Sequence, residues 1–121
     1  MAVAVGVDLL EIERIERALE RHPRLAERIF TDGELGYARA RSRPGRHLAA
    51  RFCAKEAAVK ALGTGPFGLR EVEVVGPAPP RLELSGSAAA AAGERGVDLE
   101  VSLSHAREMA VAVVVASPRG G

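Results

Sequence analysis

Residues 51–65 read RFCAKEAAVKALGTG and hold both lysines of the chain, Lys55 and Lys60. With 17 basic residues in all, the other 15 are arginine. Lysine is a compact charge that can give up its proton, which guanidinium cannot do, so the placement has chemical content. On a helix Glu56 and Lys60 lie four positions apart and therefore side by side. Lys55 falls near the middle of an apolar stripe made by Leu48, Phe52, Val59 and Leu62, where an unpaired charge would be expensive. Two readings stay open. Either Glu56 and Lys60 are a helix-stabilising pair and Lys55 snorkels to water, or the three form part of a reactive centre. Asp8 bears on the choice because it closes the apolar run of residues 2–7, at the rim of an expected strand. Asp8 and Glu56 together offer oxygen ligands for one hard divalent cation, with coordination positions left for substrate phosphates. Alone, Asp8 equally serves as a cap for the helix that opens at EIER, and spacing does not by itself bring Asp8, Glu56 and Lys60 together.

Other chemistry-bearing residues carry weaker patterns. GTGPFG is not a phosphate-binding P-loop, because it follows a helix and lacks the closing lysine and hydroxyl. Cys53 reads as a small core residue. His105 ends a strand in SLSH and reads as a turn residue or, more sharply, as a phosphate or adenine contact. His22 and His47 carry no usable pattern. Arg14, Arg17, Arg21, Arg24 and Arg28 recur at intervals of three and four. They form one basic stripe if Pro23 leaves the chain direction roughly intact. With Glu13 and Glu20 four residues ahead of Arg17 and Arg24, the stripe is a salt-bridged solvated face, or else a docking surface for an acidic partner.

The elements that must position these residues are legible from periodicity. AVAVGV predicts a buried strand over 2–7, and EIERIERALERH predicts a helix that Pro23 ends or kinks. PRLAERIF adds a turn or two. TDGE at 31–34 is a capping box opening a further helix, and SRPG at 42–45 is a loop. HLAARFCAKEAAVKALG is a long helix with Gly63 as its C-terminal cap and alanines on the side opposite the large apolar stripe. LREVEVV, PRLELS and LEVSLSH are strands, SAAAAAGERG is a helix closed by Gly93 or Gly96, and MAVAVVVA pairs with LEVSLSH as a hairpin. Helices first and strands later predict an α+β fold over a single domain, 1–121. The net charge of +1 gives no case for nucleic acid or membrane binding, and the single cysteine excludes an intramolecular disulfide. No stretch reads as a signal peptide or is long enough to span a bilayer, so a cytoplasmic location is expected.

GVDLLEIERI at 6–15, FTDGE at 30–34, RFCAKEAAVKALGTG at 51–65 and VSLSHAREMAVA at 101–112 together resemble the holo-(acyl carrier protein) synthase family of 4′-phosphopantetheinyl transferases. The resemblance runs through nearly the whole chain in order. It departs at Cys53, where alanine is usual, and at GPAPPRLEL, which replaces a commoner Gly-Lys-Pro lead. It implies transfer of phosphopantetheine from coenzyme A to a serine of apo acyl carrier protein, with release of 3′,5′-ADP, in fatty acid biosynthesis. Asp8 and Glu56 would hold Mg²⁺, and Glu56 and Lys60 would be catalytic. Lys60 is expected to be a buried lysine of depressed pKa that contacts phosphate and moves a proton. Lys55, Lys60, Gly63, Thr64, Gly65, Arg43, Arg46, Arg51 and His105 would contact coenzyme A. Arg14, Arg17, Arg21, Arg24 and Arg28 would receive the acidic helix of the carrier protein. The family also implies a homotrimer with active sites in the clefts between subunits. Two readings from other classes remain: a metal-dependent phosphodiesterase or nuclease, and a non-catalytic module that binds carrier protein.

Overall fold

The computed structural model describes residues 2–76 and 78–120; Met1, Gly121 and Pro77, inside the GPAPPRLEL stretch, lie outside the described residues. The chain runs β1 (Ala4–Glu11), α1 (Ile12–Arg21), α2 (Leu25–Ile29), α3 (Asp32–Arg39), α4 (Pro44–Leu62), a 3₁₀ turn (Leu69–Glu71), β2 (Val72–Val75), β3 (Arg81–Leu84), α5 (Gly86–Arg95), β4 (Val97–His105) and β5 (Met109–Pro118). This is the expected α+β fold, a long buried helix against an antiparallel sheet. The strands β1, β5 and β4 form an antiparallel sheet in that order, and β2 and β3 form a separate hairpin. The last hairpin pairs as its sequence predicts. No helix among the described residues is long and apolar enough to cross a membrane.

Helix α4 is the centre of the molecule. Pro44 stands in its first turn, where the missing N–H costs nothing, and Gly63 ends it with φ +70°. The helix therefore begins inside the SRPG stretch expected as a loop. Its alanine face, Ala50, Ala54, Ala57 and Ala61, is fully or almost fully buried. That face rests on the sheet, where Ala110, Ala112 and Ala116 of β5 are equally small. Small residues on both sides let the helix sit close, and Gly6 of β1 marks the tightest point. A Cβ on Gly6 would lie 2.0 Å from the Ala57 carbonyl oxygen.

Strand β1 corrects two expectations. It runs on through Asp8 to Glu11, so Asp8 is interior to the strand and caps no helix. It is also half-exposed. Ala4, Gly6, Asp8 and Leu10 face the helix, while Val5, Val7 and Leu9 point outward, between 52% and 62% exposed. The nearly continuous apolar run hides a period of two because both faces carry apolar residues. That alternation is what turns Asp8 under α4.

The helical punctuation follows the sequence. Thr31 Oγ1 accepts from the Glu34 N–H at 3.2 Å, and Glu34 Oε1 accepts from the Thr31 N–H at 3.0 Å, closing the capping box of α3. Helix α5 is closed by Gly96, at φ +63°, and not by Gly93. The first of the three middle strands is shorter than LREVEVV suggests, its opening LRE being the 3₁₀ turn.

Candidate active site

Asp8 and Lys60 meet where α4 crosses β1, one helical turn beyond Glu56. Lys60 Nζ donates to the Val7 carbonyl at 2.9 Å and to Asp8 Oδ1 at 3.2 Å. Glu56, one turn earlier on the helix, makes no hydrogen bond or ion pair among the described residues. The expected pairing of Glu56 with Lys60 therefore does not form; the lysine reaches the strand instead. Lys60 is 55% exposed in the single chain, so its own chain does not supply the burial that the resemblance implies. Cys53 lies beneath this group, its thiol pushed up to about 12. Burial is the first cause, followed by the nearby Asp8 carboxylate and then Glu56, with Lys60 opposing, while the thiol itself donates to the Ala110 carbonyl at 3.7 Å. A thiol so held is a packing group and no nucleophile.

The donor set fits a hard cation. Among the described residues no group of three His, Cys, Asp or Glu side chains can hold a metal by itself. Two carboxylates, one held by a lysine and one without a partner, supply oxygen donors and leave most of a coordination shell to substrate and water. That is how Mg²⁺ is usually bound beside phosphates.

Lys55 requires a correction. It is fully buried and does not snorkel to water. Its ammonium donates to Glu34 Oε1 at 2.7 Å, to the Val72 carbonyl at 2.7 Å and to the Leu69 carbonyl at 2.9 Å. Three protons are spent on three protein acceptors, so none is left for a phosphate of coenzyme A. Burial pushes the Lys55 pKa down and the Glu34 carboxylate opposes that. The buried lysine of the chain is thus Lys55, held as part of an ion pair.

The expected coenzyme A contacts fall into two groups. Gly63, Thr64 and Gly65 form an exposed turn directly after α4, beside Lys60. Arg43 and Arg46 flank the start of the same helix, about 28 Å away at 1.5 Å per residue. Arg43 is occupied: it pairs with both oxygens of Glu16 at 3.0 and 3.1 Å and donates to the Arg107 carbonyl. Its pKa is raised, chiefly by the Glu16 hydrogen bond. Arg51 and His105 line a cleft of about 280 Å³ with Tyr37, His47 and Pro80. Arg51 and Arg41 lie on the Tyr37 ring at 3.9 and 3.4 Å from its centroid. His47 stands edge-on between Tyr37 and His105. The Nε atoms of Arg46 and Arg51 are buried without a partner among the described residues, an unmet donor capacity suited to an anion. Both histidines have lowered pKa values, first through burial.

Arg14, Arg17, Arg21, Arg24 and Arg28 are all exposed. Arg17 pairs with Glu13 at 2.6 Å, as the solvated-face reading predicts. The Glu20–Arg24 pair does not form, and Arg14, Arg21, Arg24 and Arg28 have no ion-pair partner among the described residues. Despite Pro23, Arg21, Arg24 and Arg28 line one groove with Leu25.

Sequence reasoning passed over Gly6, Glu34 as an ion-pair partner, Tyr37 and His47. Gly6 had a signal, since glycine inside an apolar strand marks a close backbone approach. Tyr37 is the only tyrosine of the chain, which says nothing of its neighbours.

The family model of the 4′-phosphopantetheinyl transferase superfamily matches residues 4–114, and the chain belongs to that superfamily. It is a transferase that uses coenzyme A, which sets the nuclease alternative aside. A holo-[acyl-carrier-protein] synthase of Streptomyces griseus is 50% identical over 121 residues, covering 96% of this chain and 98% of that one. Among solved structures, an ACPS–CoA complex of Chronobacterium ammoniagenes superposes with a TM-score of 0.85 at 32% identity, covering 99% of this chain and all of that one. A holo-(acyl-carrier-protein) synthase of Bacillus anthracis in complex with CoA (3′,5′-ADP) gives 0.78 at 33% identity, covering 97% and 99%.

Proposed function

We propose that residues 1–121 act as one domain that transfers 4′-phosphopantetheine from coenzyme A to a serine of apo acyl carrier protein, releasing 3′,5′-ADP. The observation that carries this reading is the contact of Lys60 with Asp8, one helical turn from the unpartnered Glu56 and beside the exposed 63–65 turn. Attack by the serine oxygen on the β-phosphorus forms one P–O bond and breaks the bond to the 3′,5′-ADP phosphate. Such a transfer needs positioning and charge neutralisation more than covalent help. Asp8 and Glu56 would hold Mg²⁺, which when bound supplies Lewis-acid neutralisation of the pyrophosphate. Lys60, half-exposed on a flexible stem, swings from Asp8 to the phosphate oxygens. There it stands where a proton leaves the serine or reaches the departing phosphate. Backbone groups of Gly63, Thr64 and Gly65 lie along the pantetheine phosphate, and no side chain at 63 or 65 obstructs the approach.

Arg46, Arg51 and His105 suit the nucleotide and its 3′-phosphate, but they belong to the other group along α4. One copy's turn and a second copy's cleft would together make a complete site, which agrees with a cyclic homotrimer. The outward valines and leucine of β1 then have a surface to cover them. The arginine groove receives the acidic carrier protein by charge complementarity. A cytoplasmic role in fatty acid biosynthesis follows from the same substrates. The test is mass spectrometry of apo acyl carrier proteins after incubation with coenzyme A and Mg²⁺. A gain of the phosphopantetheine mass on serine is expected; no gain on any carrier protein refutes the reading.

A further inference from the structure

The turn that follows α4 is held at both ends by α4 itself. At its start, the Gly63 N–H donates to the Val59 carbonyl at 3.0 Å. Residues 64–67 then make no backbone hydrogen bond among the described residues, and residues 63–66 are exposed. At its far end, the chain is caught again where Lys55 Nζ donates to the Leu69 and Val72 carbonyls, at the first residue of the 3₁₀ turn and the first residue of β2. Lys55 sits on the same helix as Glu56 and Lys60, so one rigid rod carries the reactive side chains and the tether. Glu34 locks the tether in place. Its Oε1 accepts from Lys55 and from the Thr31 N–H, and its Oε2 accepts from the Val74 N–H at 2.8 Å. The carboxylate thereby ties α3, α4 and β2 at one buried point.

A buried ion pair is poor evidence of a stabilising role, because well-packed apolar residues of similar size often serve as well or better. What such residues do not replace is a donor that reaches two carbonyls at a chosen distance from the helix. We propose that the Lys55–Glu34 pair is a positioning device for the 63–68 turn, setting its distance from Glu56 and Lys60. This rests on the reading of residues 63–65 as the coenzyme A turn.

The test is the near-isosteric, uncharged double variant Lys55→Met with Glu34→Gln, compared with wild type by kinetics and by hydrogen exchange. The expected result is a kcat/KM for coenzyme A lowered about ten- to a hundredfold, as a displacement near 1 Å produces, with the KM for carrier protein unchanged. Amides of Glu71 and Ser85, which donate to the Gly68 and Glu71 carbonyls, should exchange faster while those of β4 and β5 do not. A folded variant with an unchanged kcat/KM for coenzyme A overturns the proposal, as does exchange that rises equally throughout the molecule. If the double variant does not fold, Glu34→Asp keeps the charge while shortening the reach, and the same two readouts decide. Should wild type transfer no phosphopantetheine, the functional reading fails, and the exchange pattern still decides the tether.

Discussion

Replacing Gly6 by alanine is the smallest change that separates the two elements of the site. The added Cβ would stand 2.0 Å from the Ala57 carbonyl oxygen and 2.8 Å from the Ala61 nitrogen, both backbone atoms of a buried helix. Ordinary contact begins near 3.4 Å, so β1 must retreat by about 1.4 Å at this point. Overpacking of this kind costs about 1–3 kcal/mol. For a chain of 121 residues that lowers Tm by roughly 3–15 °C. Asp8 faces the helix two residues on and moves with the strand. Lys60 has a flexible stem and can follow, but Glu56 stays with the helix, so the two carboxylates part. A misplacement near 1 Å costs about 10² in rate. The assay is kcat measured well below the lowered Tm, as a function of Mg²⁺ concentration. Controls are Gly36→Ala and Gly93→Ala, whose Cβ atoms meet nothing within 4 Å. Both are interior to helices, where alanine gains about 0.5–1 kcal/mol over glycine. A Gly6→Ala protein that melts and turns over like these controls would refute the close approach as the determinant of the site.

Lys60→Arg keeps the charge and, at a half-exposed position, has room for the larger head. It should retain the wild-type Tm yet lose about 10²-fold or more in kcat, and a near wild-type rate would show that charge alone suffices. Reversing Arg14 and Arg21 to glutamate should raise the KM for carrier protein far more than that for coenzyme A. The penalty should shrink at high salt, and equal effects on both substrates would return the stripe to a solvated face. His47 and His105 have folded pKa values pushed below 6.5 by burial first, with each other or nearby arginines adding to the effect. Both are neutral in the folded protein and take up protons more readily when unfolded. Their contribution to stability is present above pH 6.5 and lost as pH falls through the lowered folded values. Tm should therefore drop more steeply on acidification in wild type than in a His47→Gln, His105→Gln double variant; parallel curves would refute this.

What the sequence discloses here is what acts over short separations. The capping box at Thr31–Glu34, the close of α4 at Gly63 and the final hairpin each depend on residues a few positions apart, and each stands as read. Strand β1 deceived because valine on an exposed face and valine in a core are the same letter. Its true length matters, since a strand ending at residue 7 would leave Asp8 free to cap a helix and unable to face Lys60. The lysines were misassigned for a related reason. Helical spacing offers Lys60 a neighbour in Glu56, but the competing acceptors on β1 lie 52 and 53 residues away in sequence. Lys55 likewise finds Glu34 across 21 residues, and nothing in local spacing announces that pairing. Arg43 was expected on a nucleotide and lies on Glu16 for the same cause.

The proposed division of the coenzyme A contacts between the turn after α4 and the cleft around Arg51 has a genetic corollary. If each site draws its turn from one copy and its basic cleft from the next around a closed ring, no copy needs to be intact at both ends. A chain broken at Lys60 still contributes a sound cleft, and a chain broken at Arg51 still contributes a sound turn. In rings formed at random from equal amounts of the two, about one site in four pairs a sound turn with a sound cleft. Two alleles that are each silent alone would then complement when expressed together.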